Sequence, residues 1–124
     1  VMKMKIHKTN KGYSLIWEYA IKSNMTVKDE KEYWFYTTTF PGELYTFFNA
    51  DILYLYIEEG RFYLSPDEPA VSSYKVKLFQ KGNQPARNMT LSKKVFQWNG
   101  HVQGKVKYTL YLLAEPVLEV EPLL

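Results

Sequence analysis

Cysteine is absent from the sequence, histidine occurs twice and arginine is limited to Arg61 and Arg87. The first absence excludes a disulfide framework, a thiolate metal site and a cysteine nucleophile, and it suits a reducing compartment. His7 and His101 are far apart, and neither belongs to an H-x-E, H-E-x-x-H or H-x-x-x-H arrangement, so no metal site is expected. Also missing are the glycine-rich phosphate loops G-x-G-x-x-G and G-x-x-x-x-G-K-[ST], together with the G-x-S-x-G nucleophile elbow. The carboxylate pairs Glu58-Glu59 and Asp67-Glu68 are sequence neighbours, and neighbours on a strand point to opposite faces, so neither pair can easily share a substrate. The expectation is a protein that is not an enzyme and carries no cofactor.

No stretch approaches the ~18 apolar residues of a membrane span, and the opening VMKMKIHKTNKG lacks the apolar core of a signal peptide. A soluble, cytoplasmic protein with no membrane partner is expected. With 124 residues the chain has room for a single core. We read residues 1–114 as one β-barrel domain and 115–124 as an acidic C-terminal tail or edge segment. Aromatics reach 17%, more than a small core usually needs, and eleven of them are tyrosines, the aromatic that best tolerates a wet surface.

Period-two alternation dominates the chain. Lys3 to Lys8 and Tyr13 to Lys22 read as a hairpin about Asn10-Lys11-Gly12, and 33-YWFYTTTF-40 is aromatic or β-branched throughout. The polar stretch from Ser23 to Lys31 reads as a connection. From Pro41 the spacing of Leu44, Phe47 and Phe48 becomes helical and predicts one short helix ending near Asn49 to Asp51. Strands resume at 52–59 and 61–65 about a tight turn at Glu59-Gly60. They continue at 74–80, 90–98 and 105–114, with a polar loop at 81–88 and a turn at 99–104. The end, 115-EPVLEVEPLL-124, is broken by Pro116 and Pro122 and is not expected to form a full strand. The fold class expected is all-β with one short helix, a small OB-like Greek-key barrel or, alternatively, a compact β-sandwich.

Charge is strongly segregated along the chain. Nine acids against Lys31 and Arg61 lie between Asp29 and Pro69, whereas Ala70 to Ala114 holds eight basic residues and no acid. Either a positive surface results, or acidic and basic blocks face each other across strands. Alternation places Lys75, Lys77, Phe79 and Lys81 on one face, Lys94, Phe96 and Trp98 on another, and Lys105, Lys107, Thr109 and Tyr111 on a third. The loop 81-KGNQPARN-88 adds Arg87. Lysines beside exposed rings suit a single-stranded nucleic acid, because the cations follow phosphates while unpaired bases stack on the rings without regard to sequence. Trp98 and Phe96 could equally belong to a core. The scarcity of arginine and the lack of a basic helix argue against duplex readout.

In its strands, its short helix after 33-YWFYTTTF-40, its lysine and aromatic faces and its acidic end, the chain resembles the small OB-fold single-stranded DNA-binding proteins of bacteriophages and mobile elements. The resemblance implies non-specific binding of single-stranded DNA, or RNA, in phage or mobile-element replication or recombination, in the host cell cytoplasm if the gene is phage-borne. It further implies that the acidic tail contacts a replication or recombination protein, and it allows a homo-oligomer. The reading from a different class is a structural or protein-interaction β-domain, such as a virion component.

Overall fold

Ten antiparallel strands form a single strongly curled sheet in the computed structural model, which describes residues 5–9 and 12–124, with side chains from residue 12 onward. The strands are β1 (Lys5–Thr9), β2 (Gly12–Ala20), β3 (Lys22–Lys28), β4 (Lys31–Phe40), β5 (Ile52–Glu58), β6 (Arg61–Ser65), β7 (Ser73–Gln80), β8 (Arg87–Leu91), β9 (Lys105–Leu112) and β10 (Val117–Leu123). Two helices interrupt them, α1 (Gly42–Phe48) and the single turn α2 (Lys93–Phe96). Across the sheet the order is β1-β2-β9-β10-β6-β5-β7-β8-β4-β3. The all-β, barrel-like class expected from the sequence is the class observed, with one helix more than expected.

Curling brings β2 against β4, although six strands separate them in the sheet order. Thr38 Oγ1 donates to the Ala20 carbonyl at 2.9 Å, and the Tyr108 hydroxyl donates to the Thr39 carbonyl at 2.9 Å. Tyr108 also meets Phe40 edge-on at 5.5 Å. Inside lie Trp17, Tyr36, Phe40, Leu44, Leu53, Val106, Tyr108, Leu118 and Val120, all essentially inaccessible. Burial raises the Tyr108 hydroxyl well above the ordinary tyrosine range, so it stays a hydrogen-bond donor.

α1 forms where the period switches. Pro41 precedes the first turn, Leu44 drives into the core, and Asn49 ends the helix in the left-handed conformation at φ 51°. Phe48 packs partly inward, while Phe47, expected on the same face, is 52% exposed.

Three expectations need correction. The polar stretch 23–31 contains a strand, β3, joined to β4 through Asp29 and Glu30 at φ 53° and 64°. Positive φ at both central residues is a type I′ hairpin turn, built here without the usual Asn-Gly or Asp-Gly. The stretch 90–98 is not one strand: β8 stops at Leu91, Ser92 Oγ accepts the Val95 N–H, and α2 follows.

The third correction concerns the C-terminal segment, which is neither a tail nor an edge. β10 pairs with β9 along its length and with β6 from Leu118 to Val120. Pro122 is tolerated because it lies beyond the β6 pairing, where its missing N–H breaks no ladder bond on that side. Glu119 and Glu121 are therefore strand side chains, Glu119 bonded to Tyr111 and paired with Arg61. The expected turn at Asn10-Lys11-Gly12 lies largely outside the described residues. Among the described residues no helix is long and apolar enough to cross a membrane.

Candidate functional site

Register assigns the outward side chains. On β7, Lys75 stands opposite Tyr54 and Lys77 opposite Ile52, while Phe79 stands opposite Asn88 of β8. Asn88 and Thr90 in turn oppose Thr39 and Thr37 of β4, and Thr37 and Phe35 oppose Lys22 and Asn24 of β3. One continuous outer face thus crosses β7, β8, β4 and β3. It carries Lys22, Lys75 and Lys77 among Phe35 and Phe79, and no aspartate or glutamate occupies an outward position on these four strands.

Both rings are open to solvent, Phe35 45% and Phe79 48% exposed. Lys77 Nζ lies 5.8 Å from the centroid of the Phe79 ring, which leaves the cation and the ring available together. Lys81, just past β7, donates to Thr39 Oγ1 and is held against this face. A groove of 860 Å³ runs past Lys22, Asn24, Phe35, Thr37, Phe79 and Lys81. A smaller one of 570 Å³ continues along Lys75, Lys77, Phe79 and Thr90. Phe79 borders both and makes them one track.

The remaining sequence candidates go elsewhere. Lys105, Lys107 and Tyr111 do share a face of β9, but β10, β6 and β5 separate that strand from β7. Lys107 stands between Glu18 and Glu121, so here acidic and basic blocks do face each other. The Tyr111 hydroxyl donates to Glu119 Oε1 at 2.8 Å, and Arg61 approaches Glu119 at 3.7 Å. Partial burial, then the Glu119 carboxylate, push the Tyr111 hydroxyl up to about 12.

Phe96 and Trp98 are not outward platforms. They stack on each other at 4.8 Å, Phe96 packs on Phe62 at 4.8 Å, and Trp98 meets Tyr36 edge-on at 5.3 Å. With Val95 and Val102 they pack against the core, and the Tyr36 hydroxyl donates to the Gly100 carbonyl at 2.6 Å. His101 packs edge-on to Trp34, 6.4 Å away. The end of α2 turns these rings inward, whereas Lys94 remains exposed on the single helical turn.

Arg87 serves its own loop. Its guanidinium lies 4.0 Å over the Tyr45 ring, and Nη1 donates to the carbonyls of Gln84, Pro85 and Ala86 at 3.2 Å each. Among the described residues no group of three histidine, cysteine or acidic side chains is placed to hold a metal ion.

Sequence reasoning missed Lys22, Asn24 and Phe35. Their signal was the hairpin: once 22–28 is a strand, the register puts all three on the face of Phe79. No family model, curated protein or solved structure matches this chain.

Proposed function

We propose that the protein binds single-stranded DNA without strong sequence preference along the outer face of β7, β8, β4 and β3. The observation that carries this reading is the acid-free surface on which Lys22, Lys75, Lys77 and Lys81 surround the exposed rings of Phe35 and Phe79. Cations at this spacing can follow phosphates and release counterions, and each exposed ring offers a stacking partner worth about 1–3 kcal/mol per base. Only Lys75, Lys77, Phe79 and Lys81 of the sequence candidates belong to this track; Lys105, Lys107 and Tyr111 would contribute little. The ten strands mean that any OB-like core would be decorated by additional hairpins. A role in phage or mobile-element replication or recombination agrees with the sequence resemblance.

Fluorescence anisotropy of a labelled oligo-dT at low and moderate salt tests the reading. The expected result is binding that weakens steeply with salt, by roughly 0.7 log units per log unit of salt for each phosphate neutralised. Absence of binding at low salt, or an affinity indifferent to salt, would refute it.

A second reading, a protein-interaction β-domain, is favoured by a separate feature. β3 ends the sheet, and the hairpin it forms with β4 exposes Met25, Val27, Tyr33 and Phe35. An open edge beside apolar side chains is a template for strand addition. Light scattering across a range of concentrations checks it: self-association abolished by Val27→Lys supports this second reading, and a monomer throughout removes the homo-oligomeric form of it.

A further inference from the structure

An apolar-walled cavity lies around the corner from the lysine track. α1 leaves β4 through Pro41 and Gly42, and Gly42 packs so closely on the 81–86 loop that an added Cβ would meet Pro85 atoms at 3.1 Å. Between this contact, Tyr19 of β2 and the exposed Phe47 ring opens a cavity of 840 Å³. That volume falls within the ~300–1,000 Å³ usual for small-molecule sites. Tyr19, Phe47 and Pro85 supply apolar walls, and Glu43, Thr46 and Gln84 supply polar atoms.

Tyr19, Thr39 and Lys81 line both this cavity and the groove on the outer face. The two are therefore continuous, and the junction is marked by the Lys81 ammonium, fixed through its hydrogen bond to Thr39.

We propose that this cavity receives a nucleobase of the strand bound on the outer face, with Lys81 holding the phosphate at the turn into it. The inference rests on the single-stranded DNA reading above and assigns that reading a second element. Three features argue for a base rather than a phosphate inside. The walls are apolar and include rings, as a flat heteroaromatic group requires. The cation stands at the mouth, where the backbone must pass, rather than within. And Glu43 presents a carboxylate, which repels an entering phosphate but accepts hydrogen bonds from the N–H groups on a base edge. Burial and then Glu43 raise the Tyr19 hydroxyl, so it holds its donor proton more tightly than an ordinary tyrosine.

The test compares two probes on the uniformly ¹⁵N-labelled full chain. One is an oligo-dT of about twelve nucleotides, within the ~4–16 nucleotide range of such sites. The other is an abasic deoxyribose-phosphate oligomer of equal length. Oligo-dT should shift the amides of Thr46, Gln84 and Ala86 together with those of Lys75, Lys77 and Asn88, and the abasic oligomer only the second group. Thr46→Trp, and separately Gln84→Trp, should fill the cavity from exposed positions. Each should weaken oligo-dT binding roughly 5- to 150-fold, the value of one stacked base, while leaving the abasic affinity unchanged. If oligo-dT binds with shifts confined to the outer face, or if both tryptophan variants bind it like the parent protein, the cavity assignment is overturned and the outer-face reading stands. If oligo-dT does not bind at low salt, both fall together.

Discussion

Lys107 stands directly opposite Glu121 across the β9–β10 ladder, with Glu18 facing it from β2 on the other side. Lys77 on β7 instead stands opposite Ile52, and its neighbour on the same face is the Phe79 ring. Two lysine pairs of equal formal charge therefore differ in setting: Lys107 is flanked by carboxylates on both neighbouring strands, whereas Lys75 and Lys77 face Tyr54 and Ile52. The double substitution Lys75→Ala/Lys77→Ala should weaken oligo-dT binding and lower the salt slope by about 1.4, at roughly 0.7 per lost phosphate contact. Lys105→Ala/Lys107→Ala should change the slope by less than half as much. Anisotropy titrations at several salt concentrations compare the two, and equal losses would contradict the assignment of the track to β7.

Phe79 and Trp98 should separate in opposite ways. Phe79 is exposed, so Phe79→Ala should alter stability by no more than about 0.5 kcal/mol while costing about 1–3 kcal/mol of binding. Trp98 is half-buried against Tyr36 and Phe96. Trp98→Ala should therefore destabilise the fold by about 2–3 kcal/mol, below the ~3–5 kcal/mol of a fully buried tryptophan. The folded fraction should keep its affinity. Urea denaturation and titration of both variants check the pair.

The hydroxyl of Tyr111 predicts an alkaline effect. Its folded value, about 12, lies above the ordinary tyrosine value of 10.0. Above pH 10 the unfolded chain therefore gives up this proton before the folded protein does. The folded state then holds more protons, and stability falls as pH rises. The contribution is fully present below pH 10 and is lost through about pH 12. At neutral pH, Tyr111→Phe should cost about 1–3 kcal/mol, because the substitution leaves a nearly buried Glu119 oxygen without its donor. The gap between wild type and variant should narrow as pH climbs through this window in urea unfolding curves. A gap independent of pH would count against the hydrogen bond.

Much of the fold was legible because alternation and turn residues agree. The strands at 33–40, 52–59, 61–65 and 74–80 and the helix after Pro41 all fall where the period places them. What the pattern hid has physical causes. β3 is polar because both of its faces are largely exposed at the sheet edge, and its turn uses Asp29-Glu30 at positive φ, a conformation those residues do not announce. β10 looked broken because a proline costs a ladder bond only where a neighbouring strand reaches it. The site was half legible for the same reason. Alternation within β7 assigned Lys75, Lys77 and Phe79 correctly to one face, but which strands lie beside β7 is a matter of topology, and that alone separates Lys107 from Lys77 and joins Lys22 to Phe79.

Gly104 provides a test of the closure between the β9 entry and the end of β10. A Cβ there would collide with the Leu123 carbonyl oxygen and lie 2.9 Å from the Leu124 Cα, both backbone atoms. The Gly104 carbonyl also accepts the Ile21 N–H at 2.9 Å, tying the β2–β3 junction to the same point. No rotamer change can relieve such a clash; the backbone of β10 or of the 97–104 segment must move. Gly104→Ala should therefore cost at least the ~1–3 kcal/mol of ordinary overpacking. Gly60→Ala is the matched control, since nothing lies within 4 Å of its added Cβ and only the left-handed φ of 76° opposes it, a penalty of about 1–2 kcal/mol. Urea unfolding should rank Gly104→Ala as the more damaging substitution. Its amide shifts should reach Ile21 and Leu123, whereas those of Gly60→Ala should remain within the β5–β6 turn. If Gly104→Ala proves harmless, the close approach of β10 to this segment is wrong.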